Sequence, residues 1–238
     1  MAHAGGLRID HVMGLSRLFV IPDGADALHG TYMRMPLDDM LGVVCLESVR
    51  ARCLVVGEDL GTVEDGFRER LAERGLLSYR LAWFEDRPAA EYTRQAMAAV
   101  TTHDLPTVAG FFTGADLQHL RDIGAHDPTV LDQIAGRQEG ERHRLHERLD
   151  GDGIEGAWSD DPADLTWALN GLLARTPSML ACASLDDAVG ALMRPNVPGT
   201  IDQHPNWRVP LPETREDMAA DPRVRRALAP LRDRPIRE

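Results

Sequence analysis

Asp10, Glu58 and Asp104 each stand at the end of a short run that reads as a buried strand. The first run, Leu7 to Asp10, carries Arg8 two residues before the acid. Strand side chains alternate with period two, so Arg8 and Asp10 point the same way, and a guanidinium there holds a carboxylate ionised and oriented. An Arg-x-Asp by itself is usually a surface ion pair. Two further segments, Val55-Val56-Gly57-Glu58-Asp59-Leu60-Gly61 and Val100-Thr101-Thr102-His103-Asp104, repeat the strand-then-acid arrangement. Three acids on three strand ends suit retaining glycosyl transfer. That reaction needs an ionised nucleophile and a protonated acid about 5–5.5 Å away, and a third acid can bind sugar hydroxyls.

The elements that would position these acids alternate. After the first strand comes a long irregular segment, Met13 to Pro36, rich in Gly, Pro, Asp and His, of a length that is usually functional. Asp38 to Arg52 predicts a helix, with Asp38 and Asp39 at its start and an apolar stripe through Met40, Leu41, Val44, Cys45 and Val49. Cys53 to Val56 is a strand, Glu64 to Arg74 an amphipathic helix stopped by Gly75, and Leu76 to Phe84 strand-like. Ala89 to Ala98 reads as a helix and Ala99 to Thr102 as a strand. This order predicts an α/β fold with a parallel sheet, whose sites lie at the strand C-termini. Beyond Asp104 the pattern is helical over Thr107 to Phe112, Leu117 to Ile123, Thr129 to Leu149 and Ala163 to Ala174. Met179 to Ser184 is the next strand, Asp186 to Leu192 a short helix, Arg194 to Arg208 a Pro/Gly/Asn loop, and Glu213 to Leu231 terminal helical turns. No repeat or low-complexity linker interrupts residues 1–238, which read as one domain.

Composition narrows the function. A net charge of −12 opposes phosphate-tracking nucleic-acid binding and anionic membranes, and fits a neutral substrate. Every basic side chain is arginine, which removes Schiff-base and P-loop lysine chemistry. Cys45, Cys53 and Cys182 lack metal or disulfide spacing and read as reduced buried thiols. His143 and His146 are an i,i+3 pair on a highly charged helix and suggest a solvated face, so neither a metal nor another cofactor is expected. No apolar run reaches the roughly 18 residues of a membrane span and no signal-peptide pattern opens the chain, so the expected setting is cytoplasmic.

Gly6-Leu7-Arg8-Ile9-Asp10-His11 resembles the nucleophile segment of the 4-α-glucanotransferases (amylomaltases), glycoside hydrolase family 77. Gly57-Glu58-Asp59-Leu60-Gly61 resembles their acid/base segment and Thr102-His103-Asp104-Leu105-Pro106-Thr107 the segment with their third carboxylate. Ile21-Pro22-x-Gly24, Gly30-x-Tyr32, Asn196-Val197-Pro198-Gly199-Thr200 and Asn206-Trp207-Arg208 follow in family order. The resemblance implies that Asp10 attacks the anomeric carbon, and that Glu58 protonates the leaving oxygen and then deprotonates the incoming hydroxyl. Asp104, helped by His103, would bind sugar hydroxyls, Arg8 would keep Asp10 ionised, and His11 would lie beside the acceptor. Glu58 then needs a raised pKa and Asp10 does not. Asp59 is read as structural. Tyr32 and Trp83 are candidate sugar-stacking residues with loop or core packing as the alternative; Phe84 and Trp207 carry the same two readings.

The family's enzymes are (β/α)8 barrels, in which by resemblance Asp10 ends the fourth strand, Glu58 the fifth and Asp104 the seventh. A barrel typically takes about 250 residues, and no room precedes Asp10 for strands one to three. The sequence therefore predicts an incomplete barrel, strands four to eight with their helices, as the C-terminal portion of one catalytic domain. A missing N-terminal half-barrel becomes an expected partner, beside maltodextrin. The rival readings are an α-amylase-like glucan hydrolase and a non-catalytic glucan-binding remnant.

Overall fold

In the computed structural model, which describes residues 1–235, Gly6–Ile9 forms strand β1 and leaves Asp10 just beyond its C-terminal end. The chain divides into two compact units, Met1–Arg80 with Gln95–Met97, and Leu81–Arg94 with the residues from Ala98 on. In the first unit, the segment from Met13 to Pro36 is not irregular as expected. Arg17–Val20 (β2) and Thr31–Arg34 (β3) pair as an antiparallel hairpin with Phe19 opposite Tyr32. Most of the hairpin is exposed, so no buried face imposes the alternation by which strands are recognised. Gly30 lets the Phe19 ring pack over the neck of the hairpin, since a Cβ there would lie 2.4 Å from that ring and displace it.

Helix α1 (Leu37–Ala51) starts behind Pro36, with Asp38 and Asp39 complementing its N-terminal dipole, and ends at Arg52 in the left-handed region. Strand β4 (Leu54–Gly57) lies parallel to β1, in register from Gly6 opposite Leu54 to Ile9 opposite Gly57. Helix α2 (Phe67–Glu73) is shorter than expected, because Gly66, with a φ of 78°, turns the chain into it. Val12, Met13, Leu41, Val55, Phe67 and Leu71 form this unit's core between the strands and the two helices.

Strand β5 (Ser78–Leu81) follows, and Val56 bridges in parallel to Leu77 just before it. The expected helix from Ala89 to Ala98 is a correction. Only Ala89–Glu91 makes a 3₁₀ turn, and Ala96–Ala99 is strand β6. Ser78 N–H donates to Gln95 O, and further along Ala82 N–H donates to Ala99 O. The partners advance together, so β6 runs parallel to β5. Ala96, Ala98 and Ala99 are buried, and a strand covered on both faces shows no alternation. Burial here overrides the helical propensity of alanine.

The second unit is mainly helical: α3 (Val108–Thr113), α4 (Ala115–Asp122), α5 (Pro128–Gly151) and α6 (Pro162–Arg175), then strand β7 (Leu180–Cys182) and α7 (Leu185–Ala188), α8 (Arg215–Ala220) and α9 (Pro222–Arg232). Thr107, Asp127 and Asp161 cap α3, α5 and α6 with side-chain oxygens that accept backbone N–H groups. The short helix expected over Asp186 to Leu192 stops at Ala188. Helix α6 buries Leu165, Leu169, Leu172 and Leu173, and its Asn170 Nδ2 donates to Ala227 O of α9 at 2.9 Å.

Asp187 on α7 is 5% exposed. Its Oδ1 accepts the Val108 N–H at 2.8 Å, while Oδ2 has no partner among the described residues. Burial pushes its pKa up to about 7, the neighbouring Asp186 adds to the rise, and the Val108 N–H opposes it. A carboxyl whose folded pKa lies above its unfolded value binds more protons in the folded state. Stability through this group is therefore greatest in acid and falls between about pH 4 and pH 7. The loss amounts to about 4 kcal/mol at most at 1.36 kcal/mol per unit. Asp187→Asn keeps the Val108 acceptor and removes the titration. Urea unfolding of both proteins should show the variant gaining on the parent as pH rises across that window, and parallel stability curves would contradict the assignment.

Candidate active site

Asp10 and Glu58 are the residues immediately after Ile9 and Gly57, the last register pair of β1 and β4. The ladder continues past the strand ends: Glu58 N–H donates to Ile9 O at 2.9 Å and Val12 N–H to Glu58 O at 3.0 Å. Neighbouring strands stand about 4.8 Å apart, so the two acids emerge side by side at the C-terminal edge. Arg8 closes on Asp10 at 2.7 Å, with its guanidinium 5.1 Å from the centre of the Tyr79 ring. Asp10 remains largely open to solvent, which suits a nucleophile fixed from one side only.

Glu58 is held differently. Its Oε2 accepts the His11 N–H at 2.8 Å and its Oε1 the Leu60 N–H at 2.7 Å. His11 makes the first of these bonds from a left-handed conformation, φ 42° and ψ 59°, which L-residues adopt at a cost. Each oxygen thus holds one backbone donor, which fixes the orientation of the carboxyl at the end of β4. Next to it, Asp59 is fully buried and accepts from Tyr79 N–H at 2.8 Å, Arg68 Nε at 2.9 Å and an Arg80 guanidinium N–H at 3.2 Å. Asp59 therefore ties the end of β4 to β5 and α2, and it is structural.

In the second unit the segment 194–196 grips 103–104 at three points. The Arg194 guanidinium donates to Asp104 O at 2.7 Å, Asn196 N–H to His103 O at 3.2 Å, and Asn196 Nδ2 to Asp104 Oδ1 at 2.6 Å. His103 Nε2 lies 3.4 Å from Asp104 Oδ2. Arg194 is anchored by a buried two-pronged pair with Asp116, at 2.7 and 2.5 Å. Behind it, His204 Nε2–H donates to Arg194 O at 3.1 Å, which leaves Nδ1 to accept from His119 at 2.9 Å. Burial lowers the His204 pKa and favours this neutral form.

Tyr32 stands exposed on β3, edge-on to Phe19 at 5.1 Å and 4.7 Å from the Arg17 guanidinium, with ring surface to spare. Trp83 is 5% exposed and packs edge-on against Phe111 at 4.7 Å, a core position rather than an open platform. The three cysteines are all free thiols, but only Cys53 is fully buried, and Cys182 is exposed. His146 stacks on Trp158 and its Nδ1–H donates to Ala157 O. Among the described residues there is no group of three His, Cys, Asp or Glu able to hold a metal ion, and no helix long and apolar enough to cross a membrane.

The family model described as 4-alpha-glucanotransferase, glycoside hydrolase family 77, matches residues 1–215. The chain belongs to this family. A 4-alpha-glucanotransferase of Mycobacterium bovis is 41% identical over 241 residues, covering 94% of this chain and 33% of that protein. One of Haemophilus influenzae is 34% identical, covering 87% of this chain and 31% of its own length. The chain thus spans about a third of the curated relatives it matches. The crystal structure of amylomaltase from Corynebacterium glutamicum superposes with a TM-score of 0.82 at 33% identity, over 96% of this chain and 36% of that one. Amylomaltase from Streptococcus agalactiae, solved in complex with acarbose, shares the fold with a TM-score of 0.63 at 18% identity. The architecture of this family 77 chain is of the (β/α)8-barrel type, and the chain holds part of such a barrel.

Two residues of the family 77 chain whose roles sequence reasoning passed over, Arg194 and Asp116, belong with Asn196 to the surroundings of Asp104. Asn196 was in view only as part of a motif match. Arg194 and Asp116 pair across 78 residues, and neither local pattern announces the other.

Proposed function

We propose that the polypeptide serves transfer of α-1,4-glucan segments between maltodextrins by a retaining double displacement. Residues 1–238 are then part of a single catalytic barrel domain working in the cytoplasm on maltodextrin or glycogen-derived chains. The observation that carries this reading is the pairing of Asp10 and Glu58 at adjacent ends of two parallel strands, with Arg8 closed on Asp10. Asp10 attacks the anomeric carbon while Glu58 gives its proton to the departing glycosidic oxygen, leaving a covalent glucosyl–Asp10 ester. An acceptor hydroxyl then loses its proton to Glu58, attacks the same carbon and releases Asp10. Arg8 pairs with the nucleophile and aims it. His11 lies toward the acceptor, Asp104 and His103 bind sugar hydroxyls, and Tyr32 offers its open ring to a more distant sugar. Trp83 takes no part in sugar stacking in this scheme, because its ring is enclosed.

Incubation of the protein with maltotriose tests the reading. Transfer produces glucose together with a ladder of maltodextrins longer than the substrate. Products limited to shorter sugars would indicate the α-amylase-like hydrolase instead. Binding of maltoheptaose without turnover would indicate the glucan-binding remnant. Turnover only after mixing with a polypeptide carrying further barrel strands would identify that polypeptide as the partner.

A further inference from the structure

Residues 194–208 follow no helix or strand, yet the segment is cross-linked throughout. Asn206 accepts the Val197 N–H at 2.9 Å and donates to Thr200 O and Oγ1, His204 donates to Arg194 O, and Trp207 N–H donates to Pro195 O at 3.0 Å. This scaffold holds Trp207 at a φ of 63°, a left-handed conformation that is strained for a bulky residue. The side chain gains no core burial in return, since it is 66% exposed. Its one ring neighbour among the described residues is His103, at 4.7 Å and 50°. The indole therefore stands beside the His103–Asp104 pair with most of its surface open.

A strained backbone and a solvent-facing indole both act against stability, and a built scaffold that maintains them points to a ligand. We propose that Trp207 is a sugar-stacking residue, whose indole takes the apolar C–H face of a glucose unit of an α-1,4-glucan. Hydroxyls on the rim of that glucose reach Asp104 and Asn196. An aromatic ring supplies dispersion and a polarisable face to the pyranose C–H groups, and adjacent polar groups fix which edge of the sugar is presented. Here Asp104 supplies acceptors and Asn196 an amide, already joined at 2.6 Å. The inference rests on the glucan-transfer reading and extends it by naming a binding residue.

The test compares the parent protein with Trp207→Gly and Trp207→Phe by calorimetric titration with maltoheptaose and by thermal unfolding. Glycine accepts the left-handed conformation without strain. Trp207→Gly should therefore unfold at a higher temperature than the parent and bind maltoheptaose about tenfold or more weakly, the equivalent of about 1.4 kcal/mol. Trp207→Phe, which keeps a ring, should retain most of the affinity. Equal affinity of parent and Trp207→Gly would overturn the proposal while leaving the glucan reading standing. Loss of affinity and stability together in both variants would also overturn it, since that is the behaviour of a packing residue. Failure of the parent to bind maltoheptaose would overturn the glucan reading and this inference with it.

Discussion

Asp10→Asn is expected to lower maltotriose disproportionation at least roughly a thousandfold, the scale on which removal of a nucleophile acts, while leaving the unfolding midpoint where it was. The two halves of that expectation come from different parts of the structure. Chemically, the amide lacks the negative charge that the proposed mechanism directs at the anomeric carbon, so in that scheme the covalent step has no substitute. Structurally, the Asp10 side chain is 64% exposed and its pair with Arg8 is the bond at stake. Exposed pairs contribute about 0–1 kcal/mol. The amide oxygen can still accept from Arg8, so the β1 end keeps its shape. Substantial residual transfer, or a large fall in melting temperature, would contradict the role given to Asp10.

Asp116→Ala should have the opposite profile, with a stability loss of about 3–5 kcal/mol, the range for stripping one partner from a buried ion pair. Asp116 lies in the first turn of α4, almost wholly enclosed, and takes two hydrogen bonds from Arg194. Without it the Arg194 guanidinium keeps one acceptor among the described residues, the carbonyl of Asp104, and stays away from water. Folded domains are stable by about 5–15 kcal/mol in total, so the single variant should sit near the limit of folding. The double variant Asp116→Ala with Arg194→Met removes both charges and should recover much of the loss. Urea unfolding of the four proteins gives the coupling directly. A loss below 1 kcal/mol in Asp116→Ala would contradict the account. So would a double variant no better than the single.

The contrast between these two acids shows what a sequence can display. Asp10 was legible because its partner Arg8 is two residues away on a strand, and because a second strand delivers Glu58 in the same manner. Parallel strands turn short local patterns into neighbouring side chains, so spacing and residue type sufficed. α1 was legible for the same reason, since its apolar stripe and its acidic first turn are both local. The hairpin β2–β3 was not, because exposed strands carry no alternation, and β6 was not, because small residues buried on both faces look like a helix. The clamp on Asp104 was invisible on other grounds. Arg194 lies in a loop with no periodicity, and Asp116 belongs to a charged stretch resembling any solvated helix turn. Only the fold makes them partners. Gly110 marks the same hidden contact: a Cβ there would meet the Leu192 carbonyl oxygen at 2.4 Å, so the α3 backbone must come close to the segment before Arg194.

The position of Glu58 adds a mechanistic consequence. With both carboxyl oxygens engaged by the N–H groups of His11 and Leu60, the resting side chain is oriented but occupied. Replacing Glu58 should then slow release of a glucosyl ester from Asp10 more than it harms the strand ends, which the backbone ladder alone continues.

That ester is also the most direct object of measurement. The Glu58→Gln variant can be incubated with α-maltosyl fluoride, whose fluoride departs without a proton from the acid, and its peptides analysed by mass spectrometry. The account predicts a maltosyl adduct on the peptide containing Asp10 and nowhere else. An adduct on another carboxylate, or complete absence of one, would contradict it.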